Sequence, residues 1–332
     1  MSTGTHSFLK PTPRNIVALV ILLIIAFMPV IAPAIGQPYY ESLFVRIMLW
    51  SIAALSLNFI LGFGGMISFG HAVYVGIGGY TVGILAYYEI HDAWIHFPLT
   101  IVLSALFALV FGAICLRTKG VYFIMITLAF AQMVYFLSLS VEEYGSDDGM
   151  SIYDRTDFGV DWFDINDDRT FYYLTFAVLL FTLFVFNRLV QSRFGMVLRG
   201  AKSNEVRLQA IGIPVFRYKL AAFVIAGVFA GISGALTANF EDFVSPDMMS
   251  WIHSGDLIFM VVLGGMGTFF GPVTGTVIFL FLSEVLRNMW EHWHLIFGPF
   301  LVLVVLFLNR GADSLFDIAG KLFTNRKTEA GE

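Results

Sequence analysis

The stretch Leu61-Gly-Phe-Gly-Gly-Met-Ile-Ser-Phe-Gly-His-Ala-Val-Tyr-Val-Gly-Ile-Gly-Gly-Tyr80 decides the fold. Seven of its residues are glycine, and Ser68 and His71 are nearly its only polar side chains outside the tyrosines. Glycine this dense normally marks a loop, because its backbone is costly to order. The flanks are too apolar for a solvated loop. Two physical reasons for glycine remain: close approach of backbones within a membrane bundle, or a helix broken at membrane depth. A second copy lies at Leu263-Gly-Gly-Met-Gly-Thr-Phe-Phe-Gly-Pro-Val-Thr-Gly275. Both copies carry Gly-Gly-Met, then a hydroxyl residue, then Phe and Gly. The two are expected to line one pathway, with the other segments as its walls.

Composition sets the class. The 332-residue chain is 58% hydrophobic and 13% charged, against about 25% charged in soluble domains. It reads as a polytopic membrane protein, all-α, forming a single transmembrane domain. A spanning helix needs about 20 apolar residues. Ten segments qualify: 16–35, 43–61, 66–88, 98–116, 120–140, 171–187, 219–240, 254–270, 272–288 and 295–309. The core is 43–310, and 1–15 and 311–332 are polar tails. Lys10 and Arg14 before an apolar run, with Ala32-Pro-Ala34 after it, resemble a secretory signal. An uncleaved first span is the preferred reading, because Pro33 suits a cleavage site badly.

Lysine and arginine set the orientation. Fifteen of the nineteen basic residues fall on one side of a ten-span chain, in the tails and in loops near 117–119 and 188–219. That side is expected to be cytoplasmic, with both termini on it. The opposite loop, 141–170, holds ten acidic residues and only Arg155 and Arg169 as bases. It reads either as a solvated acidic loop or as a docking surface for a soluble partner. In loop 188–219, Ser203 or Asn204 can cap a short helix whose positive end suits Glu205, and Gly212 and Pro214 stop it. Two turns do not persist alone in water. The helix lies on the membrane surface or docks onto another protein.

No phosphate-binding Gly-x-x-x-x-Gly-Lys-Ser/Thr, nucleophile elbow or metal-ligand pair of histidines is present. No cofactor is implied. Charges within spans are expensive and usually functional. Arg46, Glu284 and Arg287 are the candidates, all toward outer ends, and no carboxylate stands convincingly near the midplane. The lone Cys115 sits in an apolar run as a small hydrophobe. His71 either satisfies a freed backbone carbonyl or touches substrate. Asn58, Ser68, Thr127 and Thr268 either bond within their own backbone or line the path.

Five motifs together resemble the membrane permease subunit of the branched-chain (high-affinity, hydrophobic) amino-acid ABC importer family. They are Leu57-Asn-Phe-Ile-Leu-Gly-Phe-Gly-Gly-Met-Ile-Ser-Phe-Gly-His-Ala72, Gly120-Val-Tyr-Phe-Ile-Met-Ile-Thr-Leu-Ala129, Ser192-Arg-Phe-Gly-Met-Val-Leu-Arg199 running on to Gly212, Val244-Ser-Pro246, and Val262-Leu-Gly-Gly-Met-Gly-Thr-Phe-Phe-Gly-Pro272. The resemblance covers about Arg46 to Arg310. It implies a type II importer fold of about ten spans in the bacterial inner membrane. It also implies no ATPase of its own, a second related permease, two cytoplasmic ABC ATPases and a periplasmic substrate-binding protein. Nucleic acid is not among the expected partners. The substrate would be a hydrophobic amino acid, with urea, short amides or small aromatic compounds as alternatives. A stand-alone channel or proton-coupled carrier is the rival from another class. From the paired glycine breaks and the polar residues beside them, Gly64, Gly65, Ser68, His71, Thr127, Gly264, Gly265 and Thr268 are expected along the pathway. Arg199, Asn204, Glu205, Arg207 and Gly212 are expected at the ATPase. Related importers carry Glu-Ala-Ala…Gly there, whereas this chain has Val206 and Arg207 for the alanines and its glycine one residue late.

Overall fold

The computed structural model describes residues 13–37, 39–159, 165–289, 292 and 294–307. The basic residues Lys10, Arg310, Lys321, Arg326 and Lys327 lie outside the described residues. So do Asp161 and Asp164 of the acidic loop.

Each of the ten apolar segments overlaps a helix among the described residues, with 66–71 and 265–270 left non-helical: α1 Pro13–Ile35, α2 Tyr39–Asn58, α3 Ala72–Tyr87, α4 Ala93–Cys115, α5 Val121–Ser140, α6 Asp168–Gln191, α9 Val215–Glu241, α10 Trp251–Gly264, α11 Gly271–Met289 and α12 His294–Phe307. Two short polar helices, α7 Arg193–Ser203 and α8 Glu205–Ala210, fill the basic loop. Among the described residues, five helices are long and apolar enough to cross a membrane unaided. They are α2 with its continuation to Phe63, α4, α5, α6 and α9. The 16 residues of α3 and 14 of α10 span about 24 and 21 Å at 1.5 Å per residue. A bilayer core is about 30 Å thick, so each needs the non-helical chain beside it.

The core is apolar and continuous from Ile25 to Phe297. Helices α2 and α9 are largely enclosed. Helices α4, α5 and α6 turn most of their surface outward, with Val102, Leu106, Tyr122, Phe136 and Phe184 exposed, as lipid-facing helices do. Small residues let the inner helices meet. A Cβ on Gly78 would stand 1.9 Å from the Gly231 carbonyl oxygen, and one on Gly234 1.8 Å from that of Val75. So α3 lies backbone to backbone on α9, while Gly227 and Gly231, spaced as in a small-xxx-small pair, turn the other way and admit Ala108 and Ser104 of α4. Helix α1 belongs to this core through Ile25, Met28 and Ala32. Pro29 has no N–H to offer the Ile25 carbonyl. The Tyr172 hydroxyl of α6 donates to it instead.

The polar segments sort into two ends. At one end the acidic loop pairs with the chain after α9: β1 (Met150–Ser151) runs antiparallel to β2 (Phe243–Val244). Arg155 bridges Asp242 at 3.1 Å and Asp168 at 3.0 Å. At the other end the basic segments meet, with Lys119 and Lys219 both on Glu205. From β2 the chain descends beside α3. Val244 packs near Gly83, Met248 near Gly79 and Met249 near Gly76. Ser254 Oγ then accepts from the Ala72 amide at 3.0 Å. The Val244-Ser-Pro246 motif, which falls between the apolar segments 219–240 and 254–270, therefore dips into the bundle. Non-helical backbone at depth is tolerable there because protein covers it.

Candidate functional site

The first glycine stretch is both things glycine permits. From Ala72 onward it packs closely within α3. Before that it is a break. Helix α2 passes into a π-helical turn, Phe59–Phe63, and Gly65 takes φ +69°, a left-handed backbone that a side chain would strain. The interrupted helix leaves amides to satisfy. Gly65 and Met66 donate back to Leu61 and Ile60 at 3.1 and 3.0 Å. Phe69 donates to Thr127 Oγ1 at 3.2 Å and Gly70 to Ser68 Oγ at 3.3 Å.

The second Gly-Gly-Met is a break of the same kind. It lies between α10 and α11, and Gly265 has φ +111° and Gly267 φ +73°. The two breaks meet. Asn58 Nδ2 donates to the Thr268 carbonyl and Asn58 Oδ1 accepts from the Gly267 amide, both at 2.9 Å. A Cβ on Gly62 would stand 2.4 Å from the Gly267 nitrogen, so the two backbones touch. Lys202 of α7 completes the group, its Nζ donating to the Gly62 carbonyl at 2.7 Å.

The expected pathway residues separate into three places. Gly64 and Gly65 lie under α7, facing Leu198 and Lys202. Gly265 and Thr268 belong to the second break, where Thr268 Oγ1 donates to the Gly265 carbonyl at 2.8 Å. Gly264 serves packing instead: a Cβ there would stand 1.8 Å from the Gly271 carbonyl oxygen, so it closes the α10–α11 hairpin. Deeper in, Ser68 and Thr127 border a small cavity with Gly70, Tyr74 and Cys115. Thr127 also bonds back to Ile124 at 2.9 Å. His71 is fully buried. Its Nε2 lies 2.8 Å from Ser56 Oγ, whose own proton goes to the Ala53 carbonyl at 2.7 Å. The imidazole is therefore the donor in that pair, and its partner is a hydroxyl rather than a freed backbone carbonyl, the first of the two roles the sequence left open.

At the basic end, Asn204 is the N-cap of α8, its Oδ1 accepting from the Arg207 amide at 3.0 Å. Gly212 at φ +82° ends the helix: its amide bonds to Gln209 and that of Ile213 to Leu208, at 2.9 and 3.1 Å. This is the double bond of a Schellman stop. Glu205 is held by Lys119 at 2.9 Å and Lys219 at 3.1 Å. Its burial works against the charge, yet the two ammonium groups more than offset that and hold its pKa below the usual 4.5. Arg199 turns back onto the carbonyls of Val190 and Gly195, each at 3.3 Å, so it braces α7 on the end of α6. What α8 presents outward is Val206, Arg207 and Ile211, the two apolar side chains 72% and 67% exposed.

Several residues escaped the sequence reading. Lys119 and Lys219 registered only as positive charge. Ser254 and Lys202 are single polar residues whose partners lie far along the chain. Asp256 sits inside the segment 254–270 and went unremarked. It lies one turn from His253, with Nδ1 to Oδ2 3.5 Å, while His253 Nε2 lies 3.3 Å from Asp247. The charged residues within apolar segments therefore include a carboxylate paired with histidine, beyond Arg46, Glu284 and Arg287.

The sequence profile of the branched-chain amino acid transport system permease component matches residues 39–307. The chain belongs to that permease family. The chain is 30% identical over 286 residues to the high-affinity branched-chain amino acid transport system permease protein LivM of Salmonella typhimurium, covering 80% of this chain and 67% of that one. It is 29% identical to LivM of Escherichia coli over the same shares. It is 22% identical to a probable LivM of Methanocaldococcus jannaschii, covering 79% of this chain and 90% of that one. No solved structure matches it. The protein is a multi-pass membrane permease component, and the matched region takes in both glycine breaks and the loop between α6 and α9.

Proposed function

We propose that the chain is the permease subunit of an ABC importer that carries branched-chain or other hydrophobic amino acids inward by alternating access. In this reading ten helices cross the inner membrane as a single domain, with both termini and the basic end cytoplasmic. A second related permease completes the pathway, two separate ATPases supply the work, and a periplasmic binding protein delivers substrate to the acidic end. The observation that carries it is the junction of the two glycine breaks directly beneath α7, the helix that leads into α8. Short irregular segments, held by side-chain hydrogen bonds, can shift more readily than packed helices. They lie where a cytoplasmic partner can reach them. The exposed Val206 and Ile211 on α8 suit a cleft on the ATPase better than water.

Uptake of labelled leucine by cells carrying the whole set of subunits tests this reading. Uptake should vanish when the ATPases are removed and should persist in a protonophore while ATP lasts. Competition by urea, short amides or benzoate without competition by valine would move the substrate to the alternative class. Val206→Asp with Ile211→Asp should release the ATPase on purification. Retention of the ATPase would remove α8 from the interface.

A further inference from the structure

We propose that Lys202 is a positioning residue that links α8 to the glycine breaks, so that movement of the cytoplasmic helices is passed to the pathway. The inference rests on the importer reading above and adds to it a residue and a route.

The π turn leaves the Gly62 carbonyl without a helical donor. The amides that follow it, those of Gly65 and Met66, go to Leu61 and Ile60. Lys202 Nζ supplies the bond at 2.7 Å, across 140 residues of chain. The lysine stem lies against Gly65, where a Cβ would come within 2.9 Å of Lys202 Cγ, and Leu198 one turn earlier lies against Gly64. Positions 198 and 202 share one face of α7, as i and i+4 must. That face sits on the first Gly-Gly-Met. Gly62 in turn touches Gly267, and a Cβ on Gly267 would stand 3.0 Å from the Gly62 oxygen that Lys202 holds. One ammonium therefore bears on the contact between both breaks. Asn204, the cap of α8, follows Lys202 after a single residue.

The sequence shows why a lysine suits the position. Its point charge with three donors can follow a carbonyl that shifts, while the four-carbon stem covers a glycine that has no side chain. Glu205 fixes the other side of the junction, on Lys119 and Lys219. Displacement of α8 against that anchor must be taken up at Lys202 or at the carbonyl it grips.

The test uses the assembled complex in proteoliposomes with the binding protein outside and ATP inside. Lys202→Met keeps the stem over Gly65 and removes the ammonium. Substrate moved per ATP hydrolysed should fall about tenfold, with ATPase activity close to that of the parent complex. Lys202→Arg should restore most of the ratio. In an Ile67→Cys background, ATP should alter the rate of maleimide labelling at that position, and Lys202→Met should abolish the response. An unchanged transport-to-ATP ratio in Lys202→Met would overturn the proposal. So would a parallel loss of assembly, ATPase and uptake that arginine fails to rescue, which marks a residue that only stabilises the fold. Absence of ATP-driven uptake in the parent complex would instead strike the importer reading itself.

Discussion

Where α3 crosses α9, Gly78 and Gly234 are helical, and they are glycine because another backbone occupies the space of a Cβ. Where the chain breaks, Gly65 and Gly265 are glycine because of their positive φ. The crossing is sealed by dispersion between backbones and admits no partial rearrangement. The breaks are closed by individual hydrogen bonds from Asn58, Lys202, Thr127 and Ser254. Each neutral bond contributes about 0.5–1.5 kcal/mol net and the charged one from Lys202 about 1.5–3 kcal/mol, so the breaks can exchange partners at a cost that binding of another subunit can supply. The same residue type thus builds the fixed part of the bundle and its adjustable part.

Substitutions should separate the two. The largest effect is expected at Gly234→Val. Its Cβ would stand 1.8 Å from a backbone oxygen, and overpacking of this sort costs about 1–3 kcal/mol or more. The yield of monodisperse protein in detergent should collapse, while Gly255→Ala, with open space around it, should behave as the parent. Normal yield for Gly234→Val would mean that the crossing is looser than described. Asn58→Ala comes next. It removes both bonds to the second break, leaving an amide and a carbonyl unmet at about 1–3 kcal/mol. The thermal midpoint should fall by several degrees with the fold intact. Thr127→Val removes one acceptor, for the Phe69 amide, and should cost about 1 kcal/mol by the same measurement.

Much of this was legible in the chain. Periodicity played little part, since helices hydrophobic all round carry no stripe. Length and composition located the helices, among them the five long and apolar enough to cross a membrane unaided, because a membrane demands long apolar runs. The repeated Gly-Gly-Met marked both breaks, and Asn204, Glu205 and Gly212 marked α8, because caps and stops are local chemistry. Contacts between distant segments were not legible. Nothing near Lys202 announces Gly62, and nothing near Ser254 announces Ala72. The role of Gly264 as packing, against the α10–α11 hairpin, likewise depends on a neighbour seven residues on. Nothing local to Val244-Ser-Pro246, which falls between two apolar segments, announces how deeply Val244 and Met249 are buried.

The smallest effect concerns pH. Glu205 has a depressed pKa in the folded chain, so its contribution is complete above the ordinary carboxylate range and disappears as pH falls through the lowered value. Anchoring of α8 should be unchanged from neutral pH down to about 5 and weaken only below the unperturbed value near 4.3. Proteolytic protection of the 204–214 segment reads this out. Glu205→Gln should lose the acid dependence and about 0.5–1 kcal/mol. Weakening that begins near pH 6 would point to a histidine instead.

In the proposed mechanism the chain is a conduit whose work stroke comes from outside, through α8 and Lys202, to the paired glycine breaks. The direct measurement is solute accumulation in sealed proteoliposomes holding this chain alone, compared with vesicles holding the full set of subunits and internal ATP. The chain alone should accumulate no leucine above equilibrium, with or without a proton gradient, and the full set should concentrate it. Accumulation by the single chain on a proton gradient would contradict the account and direct attention to Asp256 and His253.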